Sequence, residues 1–178
     1  VLTDLALDFI RRQQERPWAL SLHYWAPHAN QDEKAPGGDR TWLPLSDADW
    51  NPFKDIDPKL PEPDYPKLDT TRAKRMLREY LGSVHSVDRN VGRLMQALEE
   101  LGVARNTVVI FTSDHGFNVG HHGIWHKGNG HWLLTDNRGS RRNMWDTSLR
   151  VPALIRWPAR IPAGATIDAL VSHLDWFP

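Results

Sequence analysis

The residues best suited to chemistry lie directly after an apolar run. Asp114 offers an anionic oxygen and His115 a neutral nitrogen, and both follow the β-branched stretch 106–113. Because the backbone leaves the pleat where a strand ends, two successive side chains there can converge on one point, and this donor pair suits a divalent cation. Gly116 lets the backbone pass close by. The alternative is an Asx turn beside a hydrogen-bonded histidine, since Asp is common in turns.

Further nitrogen donors are concentrated in the loop that follows. Four histidines and one lysine occur among its glycines: His121, His122, His126, Lys127 and His131. His122 and His126 have the spacing of a zinc-protease helix, but Gly123 stands where that motif needs its catalytic glutamate. This argues against a zinc protease. Two other interpretations stay open, a His-rich tract that binds transition metals and a solvated loop without a role.

Hydrophobic spacing indicates the elements that position these residues. Amphipathic patterns predict two helices, at 4–15 and 71–101, and compact apolar runs predict four strands, at 18–25, 106–113, 151–157 and 166–174. The run 106–113 is continuous enough to be buried on both faces. Seven prolines make the stretch 29–69 a loop excursion, which we expect to be ordered on the surface. The order of elements predicts an α/β fold with a largely parallel sheet flanked by helices.

Composition limits the partners that we expect. The 178 residues carry 22 basic and 22 acidic side chains, so no net charge draws the chain toward nucleic acid or an anionic membrane, and neither partner is expected. There is no cysteine, which excludes a disulfide scaffold, a thiolate metal site and a thiol nucleophile within these residues. No apolar run approaches the ~18 residues of a membrane span.

Four stretches of the chain, taken in order, match the motifs of one known family. "YWAPHANQ" (24–31) resembles its strand-end histidine segment, and "NTVVIFTSDHG" (106–116) its second metal-ligand motif. "GHHGIWHKGN" (120–129) is similar to the lysine-bearing loop, and "DTSLRVPALIRWP" (146–158) to the strand after that loop. Together they resemble the sulfatases of the alkaline phosphatase superfamily.

The resemblance implies an alkaline phosphatase-like α/β/α sandwich that is incomplete in this chain. Residues 1–178 would be a partial catalytic domain, and 114–148 its active-site loop. We expect an internal fragment that lacks the N-terminal formylglycine motif and the C-terminal part. The implied activity is sulfate ester hydrolysis, with a small-molecule or glycan ester as substrate; the oligomeric state stays open.

Site roles follow from the resemblance residue by residue. Asp114 and His115 would be metal ligands, with Ca²⁺ the usual family metal; Mg²⁺, Mn²⁺ and Zn²⁺ stay possible because a nitrogen ligand favours softer ions. Lys127 would contact a sulfate oxygen and the nucleophile. His28 would face the ester oxygen and protonate the departing alcohol, and His126 is the rival proton donor.

The family nucleophile, a formylglycine made from Cys or Ser in a Cys/Ser-x-Pro-x-Arg motif, has no counterpart in these residues. We therefore expect the isolated chain to be inactive. Two other functions stay open: a phosphodiesterase or phosphonate monoester hydrolase of the same superfamily, and a non-catalytic metal- or glycan-binding module. Three tryptophans near the expected rim are candidates to stack on a sugar ring: Trp25, Trp125 and Trp132. The resemblance suggests a periplasmic or extracellular parent protein.

Overall fold

The structure, a computed structural model of the chain, describes residues 2–13, 16–28, 43, 45–125, 127 and 144–176. Its helices are α1 (Leu2–Arg12), α2 (Asp47–Trp50), α3 (Thr70–Glu100) and α4 (Asp146–Leu149), and its strands are β1 (Val109–Phe111) and β2 (Leu154–Arg156). Three 3-10 turns complete the order, at Ala104–Asn106, His121–Gly123 and His173–Trp176.

Helix α3 is the longest element and organises the described core. Its 31 residues correspond to an axis of roughly 46 Å. The Asp69 carboxylate caps its first turn by accepting the Arg72 backbone N–H at 2.9 Å. At the other end Gly102, with φ of 70°, reverses the chain, and Val103 N–H donates to the Leu98 carbonyl at 3.1 Å. The predicted helix, 71–101, coincides with α3 within one residue at each end.

Two clusters of buried apolar side chains lie along α3. Toward its N-terminus, Ala73, Met76 and Leu77 pack with Trp125 from the histidine-rich loop. Toward its C-terminus, Leu98 packs with Ile10 of α1. Arg93 of α3 also hydrogen-bonds the Asp4 carboxylate, which is the largest of the influences that lower the pKa of that exposed carboxyl. The long helix is thus the support for both α1 and the loop that follows β1.

Helix α2 belongs to the proline-rich excursion and is held to α3 by charge. Asp49 is 3% exposed, and the Arg89 guanidinium donates to both of its carboxylate oxygens, at 3.0 and 2.9 Å. The Ser46 hydroxyl donates to the same carboxylate at 2.7 Å. Gly82 is required where the elements meet, because a Cβ there would lie 2.8 Å from the Asp49 carbonyl oxygen. The described part of the excursion is therefore anchored, not a free loop.

The sheet differs from the sequence prediction in extent, direction and burial. Strands β1 and β2 pair antiparallel, with Ile110 opposite Ile155, whereas the sequence predicted largely parallel order. Each is three residues long, shorter than the predicted runs 106–113 and 151–157. Ile110 and Leu154 are 49% and 64% exposed, so the prediction of burial on both faces is wrong for this chain. Among the described residues, Val109 packs at the Ile10–Leu98 cluster, while the side chains beyond it are left largely uncovered.

The two remaining predicted strands do not form. Residues 18–25 have no strand pairing in the structure, and residues 166–174 carry no strand, with Leu170 fully exposed. The physical reason is that a strand, unlike a helix, satisfies its backbone groups only through a neighbouring strand. Within the described residues each of these two segments lacks such a neighbour.

Candidate active site

The Asp114–His115 pair lies three residues beyond the end of β1. The two side chains are adjacent in space as well as in sequence, with His115 Nε2 3.5 Å from Asp114 Oδ2. The Asp114 side chain is 84% exposed and that of His115 31% exposed, so both donors are reachable from solvent. The Ser113 hydroxyl donates to the His115 carbonyl at 2.9 Å and fixes the turn between them.

The hydrogen bonds of His115 determine which ring nitrogen is available. Its Nδ1 lies 2.7 Å from the Gly116 carbonyl oxygen. A carbonyl oxygen can only accept, so Nδ1 carries the proton and neutral His115 presents a bare Nε2 lone pair. Metal-bound histidines in proteins are oriented by this kind of bond from the second nitrogen. The tautomer that binds metal is therefore the one that the backbone selects.

Two opposing influences act on the pKa of Asp114. Partial burial raises it, whereas the positive charge that the His115 ring carries when protonated, the backbone N–H groups of Asp114 and His115 and the Ser113 hydroxyl lower it. The lowering influences prevail, and the pKa lies below its ordinary value. Asp114 is thus ionised at neutral pH, the state that a cation ligand needs.

Gly116 joins the site to α4 by close backbone contact. Its N–H donates to the Ser148 carbonyl at 2.9 Å. A Cβ at this position would lie 2.3 Å from the Thr147 carbonyl oxygen and 2.8 Å from that of Arg150. Because both are backbone atoms, no side-chain rotation relieves the overlap. Glycine is therefore needed to seat the loop against α4.

Asn118 supplies a second, buried connection to α4. It is fully buried, and its amide nitrogen donates to the Ser148 hydroxyl at 2.9 Å. The Thr147 hydroxyl donates to its amide oxygen at 2.7 Å. The sequence gives no local sign of this role, because the partners of Asn118 are 29 and 30 residues away.

The histidines of the loop contact a carboxylate from the proline-rich excursion. His121 Nδ1 and His122 Nδ1 lie 3.3 and 3.5 Å from Glu62 Oε1. The His122 backbone N–H donates to the other oxygen of Glu62 at 3.2 Å, and the His122 ring stacks on Trp145 with centroids 3.9 Å apart. His121 and His122 therefore hold the loop in place and are not left to solvent. Glu62 was not foreseen, since it is 60 residues away in sequence.

Trp125, the last residue of the continuous described segment 45–125, is fully buried. Its ring meets Tyr80 of α3 and Phe117 edge to face, at centroid distances of 6.3 and 6.0 Å. The prediction that Trp125 is a candidate sugar platform is wrong, because the same apolar surface packs on α3. Trp25 is 75% exposed and keeps that candidacy, while Trp132 lies outside the described residues.

The other predicted site residues are placed in part. His28 is half-buried after Pro27, its backbone N–H donates to the Trp25 carbonyl at 2.8 Å, and its ring lies 5.2 Å from the Trp25 ring. Lys127 is half-buried two residues after Trp125. His126 and His131 lie outside the described residues. The structure brings Asp114 and His115 together, and the convergence of His28 and Lys127 on that pair stays a prediction.

The pair fits part of a metal site. One carboxylate oxygen and one imidazole nitrogen of the correct tautomer, 3.5 Å apart and exposed, can share a divalent cation. In the part of the chain that the structure describes, no group of three or more His, Asp or Glu side chains is arranged to hold a metal ion. Any further ligands must therefore come from elsewhere in the protein.

Comparison with known proteins identifies the family. The family model "Sulfatase" matches residues 1–178. This chain belongs to the sulfatase family. The N-acetylglucosamine-6-O-sulfatase of Bacteroides thetaiotaomicron is 36% identical over 105 residues, which are 59% of this chain and 16% of that protein. The N-acetylgalactosamine-6-sulfatase of Canis lupus familiaris is 31% identical over 174 residues, 97% of this chain and 26% of that protein.

Solved structures with a similar backbone confirm the predicted fold class of this sulfatase chain. The protein yidJ of Bacteroides fragilis superposes with a TM-score of 0.62 at 24% identity, over 89% of this chain and 30% of that one. A phosphonate monoester hydrolase of Silicibacter pomeroyi superposes with a TM-score of 0.55 at 23% identity, over 88% and 32%. At these identities the likeness shows the fold alone. It is the alkaline phosphatase-like α/β fold, of which these residues form a part.

The matched region covers a much larger share of this chain than of its relatives. The chain spans about a sixth to a quarter of the length of the two sulfatases named above. Within the described residues of this sulfatase chain, no helix has both the length and the apolar composition needed to cross a bilayer.

Proposed function

We propose that the protein carrying these 178 residues is a metal-dependent sulfatase that hydrolyses sulfate esters of sugars. The observation that carries the proposal is the exposed Asp114–His115 pair, 3.5 Å apart, with His115 held in the metal-binding tautomer by the Gly116 carbonyl. The names of two relatives, an N-acetylglucosamine-6-O-sulfatase and an N-acetylgalactosamine-6-sulfatase, support a carbohydrate ester.

In this proposal the chain supplies ligands and charges around the sulfate group. Asp114 and His115 would hold a divalent cation, with Ca²⁺ the first candidate, which would offset negative charge on sulfate oxygens. A formylglycine from outside these residues would provide the nucleophile. Lys127 places an ammonium on a sulfate oxygen, where charge develops during transfer.

The leaving alcohol needs a proton, and His28 is the proposed donor. An imidazole can give up a proton near neutral pH. The Trp25 ring beside His28 and the backbone bond to the Trp25 carbonyl limit where the imidazole can point. His126 is the rival donor. On the same resemblance we propose a periplasmic or extracellular location for the parent protein.

The proposal is tested on the complete natural protein with 4-nitrophenyl sulfate as substrate. We expect metal-dependent turnover, a fall in kcat/KM on the order of 10²-fold or more for Asp114→Asn, and weaker metal binding for the same variant. Asp168→Asn, a change of the same type at an exposed position, is the matched control and should leave both unchanged. Absence of sulfate ester turnover in the metal-loaded wild type would contradict the proposal.

A phosphonate monoester hydrolase is the second candidate, because such an enzyme shares this fold. The two are separated by offering an aryl phosphonate monoester and an aryl sulfate to the same preparation. A kcat/KM that is higher for the phosphonate would replace the sulfatase assignment. Metal binding without turnover of either ester would instead identify a non-catalytic module.

A further inference from the structure

The His115 ring has a hydrogen-bond acceptor beside each of its two nitrogens. On one side Nδ1 lies 2.7 Å from the Gly116 carbonyl oxygen, and on the other Nε2 lies 3.5 Å from Asp114 Oδ2. A neutral imidazole carries one proton and serves one of these acceptors at a time. With the proton on Nδ1, the Nε2 lone pair is available to a cation. With the proton on Nε2, that lone pair is lost.

The present distances favour the tautomer that can bind a metal ion. The contact of Nδ1 with the Gly116 carbonyl is as short as a hydrogen bond, whereas the contact of Nε2 with Asp114 is longer than the roughly 2.7–3.2 Å of such bonds. An ionised carboxylate is nevertheless a stronger acceptor than a carbonyl. A displacement of the Gly116 carbonyl would therefore let the proton settle on Nε2. The position of that carbonyl is what must be controlled.

The Gly116 carbonyl belongs to a peptide group that is attached to α4 on both sides. Before it, the Gly116 N–H donates to the Ser148 carbonyl at 2.9 Å. After it, the Asn118 amide donates to the Ser148 hydroxyl at 2.9 Å and accepts from the Thr147 hydroxyl at 2.7 Å. The two attachments together limit how far the carbonyl can turn away from the His115 ring.

The attachment through Asn118 depends on its amide, because water does not reach it. Asn118 is fully buried and Ser148 is 5% exposed. Removing the amide takes a hydrogen-bond partner from hydroxyl groups inside the protein, a cost that is reduced when α4 shifts against the loop. Helix α4 is one turn of four residues, so its position depends on its neighbours. Asn118 thus sets the distance between α4 and the turn at Gly116.

We infer that Asn118 is a positioning residue for His115: it holds the Gly116 carbonyl where that carbonyl keeps the imidazole proton on Nδ1. The inference rests on the proposed function for the use of Nε2 as a metal ligand. Without the amide, the proton moves from Nδ1 to Nε2 of the same neutral ring, beside Asp114, with no change in net charge. The affinity of the pair for a divalent cation then falls.

The first test reads the tautomer in the complete natural protein after metal has been removed with a chelator. Solid-state NMR of protein that carries isotope-labelled histidine distinguishes a protonated ring nitrogen from a bare one, at about pH 8, where ordinary imidazoles are neutral. The His115 signal is the one that His115→Gln removes. We expect the proton on Nδ1 in the wild type and a large fraction on Nε2 in Asn118→Ala. The same tautomer in both proteins overturns the inference.

The second test measures the Kd of Ca²⁺ by calorimetry in the same two proteins. We expect Asn118→Ala to raise Kd about tenfold, as is usual when the group that orients a metal-bound histidine is disturbed. An unchanged Kd overturns the role of Asn118 in metal binding. If the wild type binds no Ca²⁺ but the tautomer changes as expected, the positioning of His115 stands and the proposed metal site fails.

The matched control is Asn90→Ala on α3. The Asn90 amide also makes two hydrogen bonds, since it donates to the Ser86 carbonyl at 2.8 Å and accepts from Arg93 at 3.0 Å. This variant should leave the His115 tautomer and the Kd of Ca²⁺ unchanged. Equal changes in the control would mean that any lost amide loosens the site, which overturns a specific role for Asn118.

A second variant covers the case in which Asn118→Ala fails to fold, as judged by thermal denaturation. Thr147→Val keeps the shape of a half-buried side chain and removes the hydroxyl that donates to Asn118. We expect it to raise the Kd of Ca²⁺ roughly threefold and to move part of the proton to Nε2. Its control is Thr107→Val, which removes a hydroxyl bond of 2.8 Å to the Val103 carbonyl. An unaltered tautomer and Kd in folded Thr147→Val overturn the inference as well.

Discussion

Apolar side chains are buried on the N-terminal half of α3 but largely exposed in the two-stranded sheet. Met76 of the helix and Trp125 packed on it are fully buried. In the sheet, Ile110 is 49% exposed and Leu154 64% exposed. Both regions have strongly apolar sequences. The difference lies in what each needs from the rest of the chain.

A helix satisfies its backbone internally and needs a partner only for one apolar face, whereas a strand satisfies its backbone only through neighbouring strands and buries an apolar face only under another layer. The loop that follows β1 gives α3 its cover through Phe117 and Trp125. The described residues give β1 one strand, on one edge. The site pair Asp114–His115 lies between these regions, so its loop is held on the helix side by buried contacts.

The largest expected effect is at Trp125. Replacing this fully buried ring by alanine removes its contacts with Met76, Tyr80 and Phe117. We expect Trp125→Ala to lower the free energy of unfolding by ~3–5 kcal/mol, measured by urea denaturation of the 178-residue chain. Trp25→Ala, at 75% exposure, is the matched control and should change it by less than ~0.5 kcal/mol. Similar losses in both variants would remove the contrast between the two regions.

The sequence predicted what depends on local spacing and missed what depends on distant contacts. The apolar period and Gly102 located α3 within one residue of each end, because helix and cap are encoded by neighbours. The proximity of the Asp114 and His115 side chains was predicted because a turn after an apolar run keeps both donors together, and their role as metal ligands stays a prediction. Glu62 was missed because no local pattern joins it to His122, 60 residues away. The run 106–113 was assigned burial that only strands elsewhere in a protein can supply.

An intermediate effect is expected at Asp49, the charged anchor of the helix side. Burial by itself raises the pKa of this carboxyl. Hydrogen bonds from Ser46 and Arg89, together with the Arg89 charge, lower it by more, so the pKa lies below its ordinary value. A lowered folded-state pKa means that the ionised form stabilises the fold. This stabilisation is fully present above the unfolded-state pKa of about 3.9 and is lost as pH falls through the lower folded-state value.

The measurement is the difference in unfolding free energy between wild type and Asp49→Asn, followed from pH 7 downward. We expect the wild type to be more stable by about 1.5–3 kcal/mol at pH 7, as for a hydrogen bond to a charged group. The difference should shrink below about pH 4. Asp57→Asn is the control, since its carboxylate is 79% exposed beside Lys74 and should matter by at most about 1 kcal/mol at any pH. A difference that stays constant with pH would mean that Asp49 acts through shape and not through charge.

The smallest effect is expected in the sheet, and an unexpected result there would most directly remove the contrast between α3 and the sheet. Leu154 pairs with Phe111 across the two strands and is 64% exposed. Because little of its surface leaves water, Leu154→Ala should cost the 178-residue chain less than ~1 kcal/mol. Leu98→Ala makes the same chemical change at a site 3% exposed on α3 and should cost ~2–5 kcal/mol. Urea denaturation of both variants measures the ratio directly. Equal costs would show that the strand pair is covered in solution, and that β1 delivers the Asp114–His115 pair from a packed sheet edge and not from an open one.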